Sequence, residues 1–589
     1  MKQISTILFS TVFFPLLQPV WDKEPFNISN ISKPDAPFFL EDAGIKEQGA
    51  YFRQLPDPRI KSRIALSLLK TNNEKAVEIL ENMLRDEKND NVISDLFICM
   101  YRLRDKAKIT YSERIKKYME HQDQLIRGYA AALYFIKTSD AATILTMLEK
   151  ENSLFVQELL WNELASKPKS CNQEDLKKFL QSKDSIRRAG AVRVLALASK
   201  EPDSVPKLKK AAEDELPVRI ALAKALKEMP DAGNELIAKL AEDKSSIVRA
   251  LVASCAVSDK RLKTLVKLSG DKDWEVRRAA CETLGGSKSP EAISALLARM
   301  NDNYEPVRTA AEDALVKINP GEDTIKKLTE FVKSDAHRDA AIRVLGMLGA
   351  KNSALDILNV LNGKAEDETV RRAVEALGRL ECKSAADAIA SKSSSKNPAV
   401  RKAVAFTIGR LGVASTFKTL ELLTKDKDAS VVLEAINAMG LIADKSFNKR
   451  LNEIVKDVKP STSSDMRAYA CWAVSRINAP TDGMMEEMKK LFLKKIIPME
   501  GEKTYDADYA RAAAIMALVE MGGKKNEPSM KAAKSAISFF HENPFKTKDE
   551  DSITLKEYMR QIQAVMNGTE IKPELVPTVK PELVTGKVQ

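Results

Sequence analysis

The chain has 589 residues, with 94 Lys plus Arg against 83 Asp plus Glu and a formal net charge of +11. Most charges sit beside one of opposite sign in a solvated-face pattern with no concentrated basic stripe, which argues against nucleic acid as a partner. Six cysteines without CxxC or paired metal spacing, three scattered histidines (His121, His337, His541) and the absence of a strand followed by a Gly-rich phosphate loop predict no catalytic, cofactor or metal site.

In chain order, residues 1–21 open with Lys2 and an apolar run from Ile4 to Leu17, interrupted at Pro15. This reads as a secretory signal peptide, too short to span a bilayer, and predicts an exported protein of the periplasm or cell envelope. A small-x-small cleavage site is missing around Gln18 to Trp21, so the alternative is an apolar helix packed on the first unit of a cytoplasmic protein. No transmembrane span is expected after this segment. Residues 22–54, with Pro25, Pro34 and Pro37, read as a linker and the entry to a repeat array.

That array occupies residues 55–525. An apolar–basic dipeptide recurs from Ile60-Lys61 through Val156-Gln157, Ile186-Arg187, Val218-Arg219, Val248-Arg249, Val276-Arg277, Val307-Arg308, Val370-Arg371, Val400-Arg401 and Val431-Val432 to Ala510-Arg511. Steps lie between 28 and 35 positions, with one of 44. That period marks two-helix repeats. In the clearest unit Asp273 is placed to cap a helix, and Val276, Ala279, Ala280, Thr283 and Leu284 share one face. Gly285 follows as a C′ residue expected at positive φ. A companion helix runs from Ser289 to Met300 with Ile293, Leu296, Leu297 and Met300 as its stripe. Asp57-Pro58, Glu305-Pro306 and Asn397-Pro398 put a capping residue before a first-turn proline. One such pair cannot hide its apolar face alone, so the units must stack. Cys255, Cys281 and Cys471 are expected as small apolar filler and free thiols.

Insertions at Lys459 to Ser464 and Ile496 to Gly501 fall between helices. Residues 526–567 predict capping helices, and residues 568–589 a Pro-containing tail in which Lys572-Pro573-Glu574-Leu575-Val576 recurs at Lys580 to Val584.

These residues resemble HEAT repeats, of the short HEAT-like class first noted in phycobilisome lyases, from Ile60 to Met521. The resemblance implies an all-α, right-handed α-solenoid (superhelix) of about fifteen two-helix repeats, with the second helix of each unit lining the concave surface. It also implies a structural ladder formed by Asp273 and Arg277, Asp335 and Arg338, and Asp465 and Arg467, broken where Ile93, Gln157 and Val432 replace the arginine. The di-iron branch of the family uses four His-Glu pairs, and only His541-Glu542 matches. The expected function is a non-enzymatic scaffold for protein partners, using the concave surface. The alternative is an accessory enzyme or chaperone-like member of the lyase branch.

Counting the dipeptide's first residue as zero, offsets 2 and 6 point away from the apolar face. They hold Arg278, Glu282, Asp313 and Arg343, then Phe406, Leu433 and Trp472. The latter three are candidate partner anchors, unless the two rings fold back between units.

Overall fold

The structure, a computed structural model, describes residues 57–493 apart from 72–73, 86, 105–114, 172, 200–201, 203–204, 230–232 and 457–463, together with 514, 517, 518 and 521. The expected signal peptide, linker, capping helices and tail, and both insertions apart from Ser464, lie outside the described residues. Every regular element among those described is a helix, and none is long and apolar enough to cross a membrane. The chain is an all-α solenoid of two-helix repeats, in two compact units divided between Ala314 and Leu315.

Local chemistry sets the helix starts. Asn397 Oδ1 accepts the Ala399 N–H at 2.9 Å in front of Pro398, and Ser289 Oγ accepts that of Ala292 in front of Pro290. Asp57 does the same for Arg59. These acceptors satisfy first-turn donors that have no partner inside the helix. Two expectations in the clearest unit are corrected. Asp273 stands at the N-cap of helix Trp274–Leu284 but makes no capping bond, because its carboxylate is drawn to Arg249 of the preceding second helix. Gly285 has φ −59°, so it is not a left-handed terminator. A Cβ there would lie 3.0 Å from the Cβ of Ala314, so its role is close helix approach.

Within each unit, a second helix packs on its own first helix and on the second helices before and after it. In the first unit this series includes Ser185–Ala198, Leu216–Lys227, Ser246–Ala253 and Trp274–Leu284. In the second unit it is Arg338–Leu348, Asp367–Arg379, Pro398–Leu411, Ala429–Ile442 and Ser464–Ile477. The apolar register holds: Val276, Ala280 and Leu284 are fully buried, as are Val400, Val404 and Ile408. Cys281 and Cys471 fill the same core, while Cys255 lies just beyond the end of helix Ser246–Ala253 and is also buried. Burial pushes the Cys281 and Cys471 thiols up to about 12 and Cys255 to about 11, so these are packing groups and poor nucleophiles. His337 is half-buried and stacks on Phe331 with ring centroids 4.6 Å apart.

Glycine sets the spacing of the second helices in the second unit. Gly346, Gly378, Gly409 and Gly440 occupy equivalent positions, each facing the next second helix. A Cβ on Gly409 would sit 2.8 Å from the Ala438 Cβ and 2.9 Å from its Cα, and Gly346 meets Ala376 in the same way. Backbone cannot yield as a flexible side-chain tip would, so Gly409→Val should force the helices apart at a cost of about 1–3 kcal/mol. Urea unfolding should show a lower midpoint; an unchanged midpoint would mean that this close approach does not hold the helices.

A second device ties repeat to repeat within each unit. Arg219, Arg249, Arg277 and Arg401 each donate through Nε to a carboxylate 22–25 residues ahead, on Asp243, Asp271, Asp302 and Asp426, at 2.6–2.7 Å. A second bond from Nη2 makes each pair bidentate. The other amino group, Nη1, reaches back to main-chain carbonyls just before its own helix, such as Asp243 O for Arg249 and Asp271 O for Arg277. Each acid thus takes one arginine on its side chain and the next on its main-chain oxygen. Arg188, Asp214, Arg219, Asp243, Arg249, Asp271, Arg277, Asp302 and Arg308 form one such relay in the first unit.

The expected ladder pairing is therefore corrected: Arg277 takes Asp302, and Asp273 is a minor partner of Arg249. Arg338 pairs with Asp335 inside one turn, at a carboxylate 92% exposed, and so ties no repeats together through that bond. The register shifts by one at Ile186-Arg187, where Arg188 holds the clamp. At Val370-Arg371 it is lost, since Arg371 turns to Glu368 and Glu375 of its own helix. Gln157 donates to Glu151 O at 2.9 Å, keeping only the main-chain half of the contact.

Candidate protein-interaction surface

The side of the second helices turned away from the core carries offsets 2, 6 and 10. In the first unit these side chains largely satisfy one another. Arg278 donates to Glu282 at 2.6 Å on the same helix, and Asp313 is exposed. Arg193 bridges Asn162 on one neighbouring helix and Glu228 on the other. Between helices Leu154–Ser166, Ser185–Ala198 and Leu216–Lys227 this leaves a small groove walled by Trp161, Ile186 and Ile220. Glu158 and Lys224 lie at its polar end. Burial pushes the Glu158 carboxyl up and the Lys224 ammonium down, and each group's attraction for the other opposes the shift.

The second unit differs. Phe406, Leu433 and Trp472 lie on the same side of successive second helices, all half-buried. Trp472 rests against Gly440, which has no side chain to obstruct it. Neither ring is fully buried and neither is fully exposed. Arg410 holds its guanidinium 6.0 Å from the Phe406 ring centroid and donates through Nε to Gly378 O at 3.4 Å, across to the previous second helix. Beside that carbonyl lies Arg379, half-buried. Its burial pulls the guanidinium below its ordinary range; Glu375 opposes this, and the like charges of Arg410 and Arg343 add to it.

A family model for HEAT repeats matches residues 233–316 and 357–440, one segment running through the relay and the other through the glycine series.

Those two segments are HEAT repeats.

A curated relative, a HEAT repeat-containing taxis protein of Halobacterium salinarum, is 31% identical over 142 residues. That alignment covers 20% of this chain and 35% of the relative, so the chain spans about a third of that protein's length. Among solved structures, the Kap95:Nup1 complex (13% identity, TM-score 0.52) and yeast importin-beta, Kap95p (13%, TM-score 0.51), share the fold. Each match covers 89% of this chain and 73% of the other.

Sequence reasoning placed Arg278, Glu282, Asp313, Arg343, Phe406, Leu433 and Trp472 on one side of the second HEAT helices, and the structure divides them. Arg278 and Glu282 are spent on each other in the first unit, and Arg343, Phe406, Leu433 and Trp472 lie on the second unit's face. Arg379 and Arg410 were missed because only offsets 2 and 6 were counted. The repeated triplets Gly378-Arg379-Leu380 and Gly409-Arg410-Leu411 are the signal that could have found them.

Proposed function

We propose that this HEAT-repeat chain is a non-enzymatic scaffold that binds a protein partner along the free side of its second helices. The observation that carries this reading is the row of half-buried apolar groups, Phe406, Leu433 and Trp472, set among charges on one face. Rings and aliphatic groups held rigidly with one edge open are the kind of anchor that dominates protein interfaces. Kap95, a protein of the same fold, occurs in a complex with Nup1. The helix pairs supply rigidity, because each second helix is fixed by both neighbours before a partner arrives, which lowers the ordering cost of binding.

Affinity capture from the native host tests the reading, using the wild-type chain beside Leu433→Glu. Leu433 is half-buried, so the change puts a charge into the patch without emptying the core. A partner retained by the wild type and weakened at least about tenfold in the variant, roughly 1.4 kcal/mol, is the expected result. Equal retention by both would overturn the placement of the interface.

A further inference from the structure

The charged groups of the second unit do not balance as those of the first do. Arg371 is held by Glu368 and Glu375 at 2.6 Å, and Arg372 by Glu368 at 2.7 Å. Asp339 accepts the Thr369 hydroxyl. Glu375 is thus taken by Arg371, and Glu381, which Arg410 also attracts, by Lys351 at 3.0 Å, so that among the described residues neither Arg379 nor Arg410 closes an ion pair of its own. Yet Arg410 leans across to the main chain beside Arg379, and Arg343 lies one helix further back at offset 6. Close helix approach at Gly346 and Gly378 brings the helices that carry these like charges together. Arg379 and Arg410, drawn close while the carboxylates around them are committed elsewhere, make a site for an external anion, and planar guanidinium groups suit carboxylates in particular.

We propose that Arg379 and Arg410 seat the carboxylates of an extended acidic segment of a partner protein, with its apolar side chains resting on Phe406 and Leu433. This rests on the scaffold reading and names the chemistry of its partner. Neighbouring packed helices lie about 8–10 Å apart. A polyproline-II segment advances about 9 Å in three residues and returns each third side chain to the same face. The matching ligand carries an acid at every third position with proline and aliphatic residues between. A nucleic acid fits less well, because Glu375 and Glu434 share the face and Met347, Leu433 and Leu441 flank it with apolar surface.

The test uses the full-length chain and a fluorescein-labelled peptide of four Glu-Pro-Leu triplets, read by fluorescence anisotropy. Comparators are the same peptide with Lys for Glu, one of equal composition with its four acids contiguous, and a twelve-nucleotide oligothymidylate. The expected result is binding at least about tenfold tighter than any comparator, weakening as salt screens the contact. Arg379→Glu with Arg410→Glu should remove at least about tenfold of that affinity at an unchanged thermal midpoint, while Arg278→Glu in the first unit should not alter it. Equal binding of the lysine peptide, tighter binding of the oligonucleotide, or no effect of the double variant would each overturn the proposal. A host partner whose capture depends on Leu433 but survives the double variant would overturn the acidic ligand alone and leave the scaffold standing. Loss of the Leu433 dependence would overturn the scaffold reading itself.

Discussion

Arg277→Ala should destabilise the protein by about 3–5 kcal/mol, because it takes from a buried carboxylate its bidentate partner and leaves only Arg299, 3.7 Å away. Asp302 is only 3% exposed at its side chain and receives two bonds from Arg277, at 2.7 Å each. The arginine also closes the main-chain oxygens of Asp271 and Lys272, so its loss opens the relay on both sides. In the wild type, burial pushes the Asp302 carboxyl up, but Arg277 and the Tyr304 N–H outweigh it and hold the group below its ordinary value of 3.8. Asp271 and Asp426 are held down in the same way, with Arg401 the leading cause at Asp426. A carboxylate depressed in the folded state contributes stability that is present above its unfolded pKa and lost as pH falls through the folded one. The wild type should therefore lose stability as pH falls below about 4. In the variant, burial acts on Asp302 with only the more distant Arg299 to oppose it, so protonation relieves it. The gap between wild type and variant should narrow when urea unfolding is compared at pH 7 and pH 3. An equal gap at both would remove the ion pair from the explanation.

Leu284→Ala should cost about 2–5 kcal/mol, the range for emptying a fully enclosed site that can only partly collapse. Leu284 is 0% exposed and ends the second helix just before Gly285, where the next second helix comes closest. The backbone approach at Gly285 limits how far the neighbours can close over the cavity. Since repeats touch only their neighbours, the loss should be local. Hydrogen exchange should quicken in helices Ser246–Ala253, Trp274–Leu284 and Pro290–Arg299 and stay unchanged in Leu154–Ser166. A uniform change along the chain would mean that cooperativity extends beyond adjacent repeats.

The repeat and its apolar register were legible because both are local: Val276, Ala280 and Leu284 recur at helical spacing, and the same pattern returns about every thirty residues. The ladder was not, because its acids lie 22–25 residues ahead of the arginines, at a drifting distance, while Asp273 stands nearer and looks like the partner. Trp472 was ambiguous for a related reason. Whether its ring packs or protrudes depends on Gly440 in the helix before it, and only the spacing of the two helices decides that. Arg379 and Arg410 escaped because they lie a turn beyond offset 6 and because the register at Val370-Arg371 slips by one. At that helix Thr369 is buried as deeply as Val370, and its hydroxyl donates to Asp339 of the preceding second helix.

The claim beneath all of this is that each helical pair depends on its neighbours for an apolar partner. Chemical unfolding of fragments tests it most directly, with one, two and three repeats of the second unit taken as residues 381–412, 350–412 and 350–443. The single repeat should show no cooperative transition, and the midpoint should rise from two repeats to three as each junction adds its share. A single repeat that unfolds cooperatively at the midpoint of the three-repeat fragment would contradict the account.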